Sequence, residues 1–370
     1  MLKNCFSVII AGGKGTRFWP LSRARRPKQL LNIISQKSLI EATADRVYPV
    51  SGRDQTLIVT VADQVDALRR TLRDLPKKNF LAEPQGKNTA PCIGLAALEV
   101  SRRNPNAAMI VLPADHWVRD TAGFRRTLKT AIALANQYDR LVTIGIRPDY
   151  PETGYGYIMK AKPVSAKYEA SAFFVKRFTE KPGLTLARRL VRDGSLWNSG
   201  IFVWKASTLL QLLGRYQPSI AAGLDAIKRI AAGKSLATPT AKVRAAIERE
   251  YKKMPNLSID YAVMEKAGSE GNVLTLEGDF GWSDIGSWAA VHRMMQKDVD
   301  GNASRGRWLG LGTKNCLIHA PDRLVVLLGM ENAVVVDTPD ALLVGDLSRS
   351  QEVRELVDEL NRKGLGSYTV

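Results

Sequence analysis

The sequence has little cysteine, little histidine and no long apolar run, and its first 40 residues contain no acidic side chain. Three cysteines (Cys5, Cys92 and Cys316), an odd number at unrelated spacings, make neither a disulfide framework nor a metal-ligand cluster. Three histidines (His116, His292 and His319) exclude a histidine-rich metal site. The longest apolar stretches, such as residues 107–113 and 324–328, fall far short of the roughly 20 residues a bilayer span needs, so no membrane partner is expected. Lys3 is not followed by an apolar region of signal-peptide length. Together with the cysteine usage, this makes the reducing cytoplasm the expected compartment.

What is present is an ordinary globular composition with a strong basic excess. The chain has 370 residues, 45% hydrophobic and 24% charged, which excludes disorder, collagen and coiled coil. At about 100–200 residues per domain, two domains are expected. The net charge of +18 favours anionic partners such as nucleotides, sugar phosphates or nucleic acid. Its distribution narrows the choice. Residues 1–40 hold eight basic side chains (Lys3, Lys14, Arg17, Arg23, Arg25, Arg26, Lys28 and Lys37), and Glu41 is the first carboxylate. A nucleic-acid binder would need a basic helix or stripe with stacking aromatics. Here the charge clusters on a glycine turn, so a nucleic-acid partner is not expected.

Short apolar segments (7–11, 56–61, 79–82, 108–112 and 141–146) alternate with helical patterns (40–50, 63–75, 90–103 and 121–137). Such alternation predicts an α/β, Rossmann-like domain with a mainly parallel sheet. In such sheets ligands bind beyond the carboxyl ends of the strands. Residues 156–161, 173–178 and 201–205 read as further strands of a mixed sheet, and 206–251 and 258–266 as helices. After about residue 300 the pattern changes to short strands at 315–319, 323–328, 333–337 and 341–344, then a helix at 351–363. The expected division is therefore a catalytic domain over 1–300 and a small all-β unit over 301–370, either a β-helix-like fragment or a barrel-like piece. The small unit carries Leu324, Val325, Val326, Val334, Val335, Leu342 and Leu343, more apolar surface than it can hide alone. It should pack on the catalytic domain or on a second subunit, and a homodimer is expected.

The segment most indicative of chemistry is Gly12-Gly13-Lys14-Gly15-Thr16-Arg17-Phe18-Trp19-Pro20-Leu21-Ser22, continued by Arg26-Pro27-Lys28-Gln29. Three glycines within four residues let backbone N–H groups approach an anion without Cβ obstruction. Neither the G-x-G-x-x-G fingerprint nor the P-loop string is present. Arg17 and Lys28 are placed to neutralise phosphates, Arg as a planar fork and Lys as a mobile point charge. Asp115 ends an apolar strand, an expensive place for a carboxylate unless it binds something. Asp284 sits in the turn Gly281-Trp282-Ser283-Asp284-Ile285-Gly286.

This segment resembles the signature of sugar-phosphate nucleotidyltransferases, and its Phe-Trp-Pro-Leu-Ser and Pro-Lys-Gln form resembles the mannose-1-phosphate guanylyltransferases among them. The likeness extends through Glu83-Pro84, Lys87-Asn88-Thr89-Ala90-Pro91 and Pro113-Ala114-Asp115-His116 to Thr153-Gly154-Tyr155-Gly156. It continues through Phe178-Thr179-Glu180-Lys181-Pro182, Trp197-Asn198-Ser199-Gly200, Ser258-Ile259-Asp260-Tyr261 and Gly281–Trp288.

The resemblance implies a GT-A-like fold and transfer of GMP from GTP to mannose 1-phosphate. It implies Mg²⁺ on Asp115 and Asp284, catalytic contacts from Arg17, Lys28 and Lys181, and nucleotide contacts from Gly12, Gly13, Gly15, Thr16, Asn88 and Thr89. Sugar contacts would come from Gly156, Glu180, Asn198 and Gly200, on glycine-bearing loops. Asp260 and Tyr261 are expected to fix the helix entry at Ser258 rather than to touch substrate. Glucose 1-phosphate with UTP or dTTP is the neighbouring possibility. Only about 70 residues with one histidine follow residue 300, too few for the isomerase domain of bifunctional relatives.

Overall fold

The computed structural model describes residues 2, 4–13, 15–164 and 172–370. The contacts divide the chain into two units that interleave along the sequence. One comprises Met1–Gly12, Thr43–Ala114 and Val118–Trp282, and the other Gly13–Ala42, Asp115–Trp117 and Ser283–Val370.

The first unit is built on a sheet of strands β1 (Cys5–Ile10), β2 (Thr56–Val61), β3 (Phe80–Glu83), β4 (Ala108–Pro113), β5 (Leu141–Ile146), β6 (Tyr157–Pro163), β7 (Ala172–Thr179), β8 (Leu196–Lys205) and β9 (Val273–Gly278). Their order is β3-β2-β1-β4-β8-β5-β9-β7-β6. Parallel ladders join β1 to β2 and β4, β2 to β3, and β5 to β9, whereas β8 and β7 run against their neighbours. This is the mixed, mainly parallel sheet of an α/β fold. The central strands are buried almost throughout, which is why they read as unbroken apolar runs rather than alternating ones. Asn88 starts the helix Thr89–Arg103 by accepting from the Thr89 N–H at 2.9 Å, and Asp120 caps Thr121–Tyr138 through the Ala122 and Gly123 N–H groups. The core of this unit gathers Trp204, Tyr251, Leu95 and Phe202 among its buried side chains.

The second unit carries a four-stranded sheet, β10 (Ala303–Leu311), β11 (Leu317–Leu328), β12 (Ala333–Asp337) and β13 (Leu342–Asp346), in that order. β10, β11 and β12 are parallel and β13 closes antiparallel, a β-helix-like arrangement. Its core joins residues from both ends of the chain: Phe18, Leu31 and Ile33 pack with Trp288, Ala303, Leu317 and Val334. Phe18 meets Trp288 edge to face at 5.1 Å. Of the apolar residues that the small unit carries, Val334, Val335 and Leu343 are buried, whereas Leu324, Val326 and Leu342 stand exposed.

Several sequence expectations need correction. The helix expected over 63–75 is a single 3₁₀ turn (Ala62–Gln64) followed by Val65–Thr71. Strands expected separately at 315–319 and 323–328 are one strand, and β10 lies beside it where the sequence pattern predicts no strand. Pro321 does not break β11 because the facing strand shifts register between Gly306 and Trp308. Gly306 permits that approach: at φ 116° a Cβ there would lie 1.9 Å from the Ala320 carbonyl oxygen. Residues 197–200, expected in a loop, belong to β8, whose pairing with β5 slips between Thr143 and Gly145. Among the described residues no helix is long and apolar enough to cross a membrane.

Candidate active site

In the second unit a cavity of about 700 Å³ is lined by Gly15, Thr16, Arg17, Lys28, Asp115 and Asp284, with further residues from the C-terminal helix. Lys28 organises this cluster. Its Nζ donates to Asp115 Oδ2 at 2.8 Å and to the Asp284 backbone carbonyl at 2.7 Å, and it lies 5.4 Å from the Phe18 ring centroid. Gly15 is what lets Lys28 come so near, because a Cβ at φ 64° would stand 2.2 Å from Lys28 Cβ. Burial pushes the Asp115 carboxyl toward its neutral form, but the Lys28 ammonium and His116 outweigh it, so its pKa lies below the ordinary value.

Neither carboxylate is a helix cap. The nearby caps are Asp120 and Ser287, whose hydroxyl accepts from the Ala290 N–H at 3.3 Å. Asp284 instead sits in a tight turn in which Ile285, a β-branched residue, adopts φ 47°. That conformation is costly, and such strain concentrates at functional sites. An ionised carboxylate and a second one on the same cavity suit a divalent cation that takes its remaining ligands from water and phosphate. The donor set therefore fits the expected metal. Among the described residues no cluster of three or more His, Cys, Asp or Glu offers an all-protein cage.

The residues expected to contact the sugar converge in the first unit. Asn198 is held from several directions: its N–H donates to the Gly156 carbonyl at 2.8 Å, and its Oδ1 accepts from Thr143 Oγ1 and the Gly200 N–H, each at 3.1 Å. Gly200 bends the strand at φ 69°. Glu180 and Lys181 form an ion pair at 3.0 Å with contrasting exposure, 8% for the glutamate side chain and 60% for the lysine. Lys181 adopts φ 45°, and its N–H bonds the Tyr155 carbonyl. A Cβ on Gly156 would lie 2.5 Å from Glu180 Oε2 and 3.3 Å from Asn198 Cβ, so only glycine leaves this carboxylate in place.

Asp260 does more than mark the helix entry expected of it. Its Oδ1 accepts from Asn198 Nδ2 at 3.0 Å, and burial together with the nearby Glu180 carboxylate pushes its pKa up to about 7. Residues Asp260–Met264 form a π-helical stretch, a local irregularity that recurs at functional sites. Tyr261 does support the helix entry, its N–H donating to Ser258 Oγ at 3.4 Å. Asn88, at φ 63°, and Thr89 use their side-chain oxygens structurally: Thr89 Oγ1 accepts from the Ile259 N–H at 2.8 Å. In the same unit, Gly12 lies where a Cβ would be 3.4 Å from Glu83 Oε1, and Glu83 is buried and accepts from the Tyr251 hydroxyl.

A protein-family model described as Nucleotidyl transferase matches residues 6–301. The chain belongs to this family. A second model, MannoseP isomerase/GMP-like beta-helix domain, matches residues 306–360. Among curated relatives of this nucleotidyl transferase, the xanthan biosynthesis protein XanB of Xanthomonas campestris pv. campestris is 39% identical over all of this chain and 76% of its own length. The mannose-1-phosphate guanylyltransferase of Escherichia coli K12 is 35% identical over 99% of this chain and 75% of its own. The crystal structure described as mannose-1-phosphate geranyltransferase from Thermus thermophilus superposes with a TM-score of 0.85 at 34% identity, covering 97% of this chain and 99% of that one. The nucleotidyl transferase fold and its β-helix-like companion thus agree with the sequence expectation.

Proposed function

We propose that this chain transfers GMP from GTP to mannose 1-phosphate, releasing pyrophosphate and forming GDP-mannose. The observation that carries the reading is Lys28, which ties the basic glycine turn to Asp115 and to the Asp284 turn around one cavity. The names of the relatives at 35–37% identity support the choice of substrates.

An oxygen of the sugar phosphate attacks the α-phosphorus of GTP in line, and the bond to the bridging oxygen of the β-phosphate breaks. The nucleophile is already largely dianionic at pH 7, because its second pKa is about 6, so no general base is needed. The barrier is repulsion between anions and charge growing on the leaving group, so the protein works by positioning and electrostatics. Arg17 and Lys28 hold the nucleotide phosphates. Gly12, Gly13, Gly15 and Thr16 bring backbone donors close, and Asn88 and Thr89 lie toward the base or ribose. Lys181 aligns the attacking phosphate. Glu180, Asn198, Gly156 and Gly200 hold the sugar hydroxyls, with Asp260 fixing the Asn198 amide. Asp115 and Asp284 would hold Mg²⁺, which supplies positive charge where charge accumulates on the α-phosphate and the leaving group.

A pyrophosphate-release assay across four NTPs and several hexose 1-phosphates tests the reading. GTP with α-D-mannose 1-phosphate should turn over fastest. A tenfold preference for UTP with glucose 1-phosphate would move the protein to another substrate group. The exposed Leu309, Leu311, Leu324, Val326 and Leu328 of β10 and β11 support a homodimer. A strict monomer in sedimentation would overturn that assembly.

A further inference from the structure

The cavity that carries Arg17, Lys28, Asp115 and Asp284 has one wall made by the C-terminal helix Val353–Arg362. Val353 and Val357 are buried. Arg354, Asp358 and Asn361 lie at i, i+4 and i+7, a spacing that puts them on one helix face, and all three line the cavity. The helix packs on the Thr16–Phe18 turn that bears Arg17. The segment after it is tied to the same loop, with Trp19 Nε1 donating to the Tyr368 carbonyl at 2.8 Å and the Ala24 N–H to the Thr369 carbonyl at 3.1 Å.

Four Lys and Arg side chains line this cavity: Arg17, Arg23, Lys28 and Arg354. Two are already engaged. Arg23 pairs with Asp340 at 2.9 Å and Lys28 with Asp115 at 2.8 Å. Among the described residues, the side chains of Arg17 and Arg354 make neither a hydrogen bond nor an ion pair. The contrast within the helix region is sharp, because Arg349 pairs with Glu352 and Arg362 with Glu359, each at 2.5 Å. A triphosphate brings about four negative charges, and its terminal pair presents the paired oxygens that a guanidinium recognises as a fork.

We propose that Arg354, on the C-terminal helix, is a phosphate-binding residue of the nucleotide site, holding with Arg17 the two terminal phosphates of the triphosphate and the pyrophosphate that leaves. This rests on the function proposed above. It assigns the C-terminal unit a direct part in substrate binding. Asp358, one turn further along the same face, sets an opposing charge beside the same group and weakens its retention.

The test is calorimetric titration of inorganic pyrophosphate into the full-length protein, with steady-state kinetics for both substrates. Arg354→Ala should weaken pyrophosphate binding by about tenfold or more, the scale of one charge-assisted hydrogen-bonded contact. It should raise KM for GTP correspondingly and leave KM for mannose 1-phosphate within twofold. Arg354→Lys should recover part of the loss, and Asp358→Asn should bind pyrophosphate more tightly than wild type. Arg362→Ala, on the same helix but away from the cavity, should leave both constants unchanged. Arg354→Gln keeps the side-chain volume and serves if the alanine variant unfolds. Pyrophosphate affinity within twofold of wild type in Arg354→Gln, an equal loss in Arg362→Ala, or a KM effect confined to mannose 1-phosphate would overturn the assignment alone. A wild-type protein that binds no pyrophosphate would overturn the nucleotide site with it.

Discussion

Replacing Lys28 by Met keeps the length of the side chain and removes its ammonium. Two contacts go with it, one to Asp115 Oδ2 at 2.8 Å and one to the Asp284 carbonyl at 2.7 Å. Exposed ion pairs are worth at most about 1 kcal/mol, whereas breaking a fully buried pair costs about 3–5 kcal/mol. Here the lysine side chain is 8% exposed and the aspartate 33%, so water relieves part of the orphaned charge. A loss of about 2 kcal/mol follows. With a denaturant slope of about 2 kcal/mol/M, the urea midpoint falls by about 1 M.

The pH dependence identifies the cause. In the wild type the Asp115 pKa is depressed, so its contribution is present above the unfolded value and is lost as pH falls through the folded one. Without Lys28 its charge and its hydrogen bond no longer hold the carboxyl down, and burial is opposed only by His116 and a backbone hydrogen bond, so the pKa rises from its wild-type value. The variant therefore lacks stability that the wild type has wherever Asp115 is ionised. Urea midpoints of wild type and Lys28→Met should differ most at pH 7 and converge toward pH 3. Turnover should fall on the order of 100-fold or more, the scale of one preorganised electrostatic group. A gap in midpoint that is equal at pH 4 and pH 7, or a kcat within threefold of wild type, would refute the reasoning.

Asp284→Asn and Asp115→Asn should each lower kcat on the order of 100-fold, partly recoverable at high Mg²⁺, with the double variant little worse than either. Kinetics against Mg²⁺ concentration check this, and a near-normal kcat with unchanged Mg²⁺ dependence would remove the residue from the metal site. Gly156→Ala places a Cβ 2.5 Å from Glu180 Oε2, so KM for mannose 1-phosphate should rise about tenfold while KM for GTP holds. Equal effects on the two KM values would count against the sugar assignment. Asp260, with a folded pKa of about 7 against 3.8, binds a proton in the folded state that the unfolded chain has lost, so it costs stability as pH rises across that window. Asp260→Asn should gain on wild type in urea midpoint between pH 4 and pH 8, and parallel profiles would contradict the shift.

Much of this is legible in the sequence because the relevant signals are local. The buried central strands are short apolar runs bounded by Gly, Pro or polar residues, and Gly156, Glu180, Asn198 and Gly200, proposed to hold the sugar, each sit in a recognisable string. The structure brings those four together. Asp260 misleads because Ser258 two residues before it suggests a helix start, whereas a π-helical stretch joins its carboxylate to Asn198, 62 residues away in sequence. β10 escapes notice because Ala-Ser-Arg-Gly-Arg-Trp-Leu-Gly-Leu holds two glycines and no β-branched residue, and its pairing with β11 determines its conformation. Arg354 carries no motif at all. A single arginine on an amphipathic helix becomes informative only when its neighbours are known to be paired.

The interleaving of the second unit bears on how the chain is made. Phe18, Leu31 and Ile33 leave the ribosome early, yet the side chains that cover them include Trp288, Leu317 and Val334. Between Ala42 and Ser283, the limits of two segments of that unit, lie 240 residues (43 to 282). At about 5–20 residues per second, synthesis leaves the signature loop without its core partners for roughly 12–48 seconds. By the end of that interval the strands of the first unit have all been made, but the loop proposed to bind phosphate still has no packed core. A chain stalled before residue 283 would accumulate sheet while the glycine loop stays unpacked, and pulse proteolysis of such chains should cut first within residues 13–42.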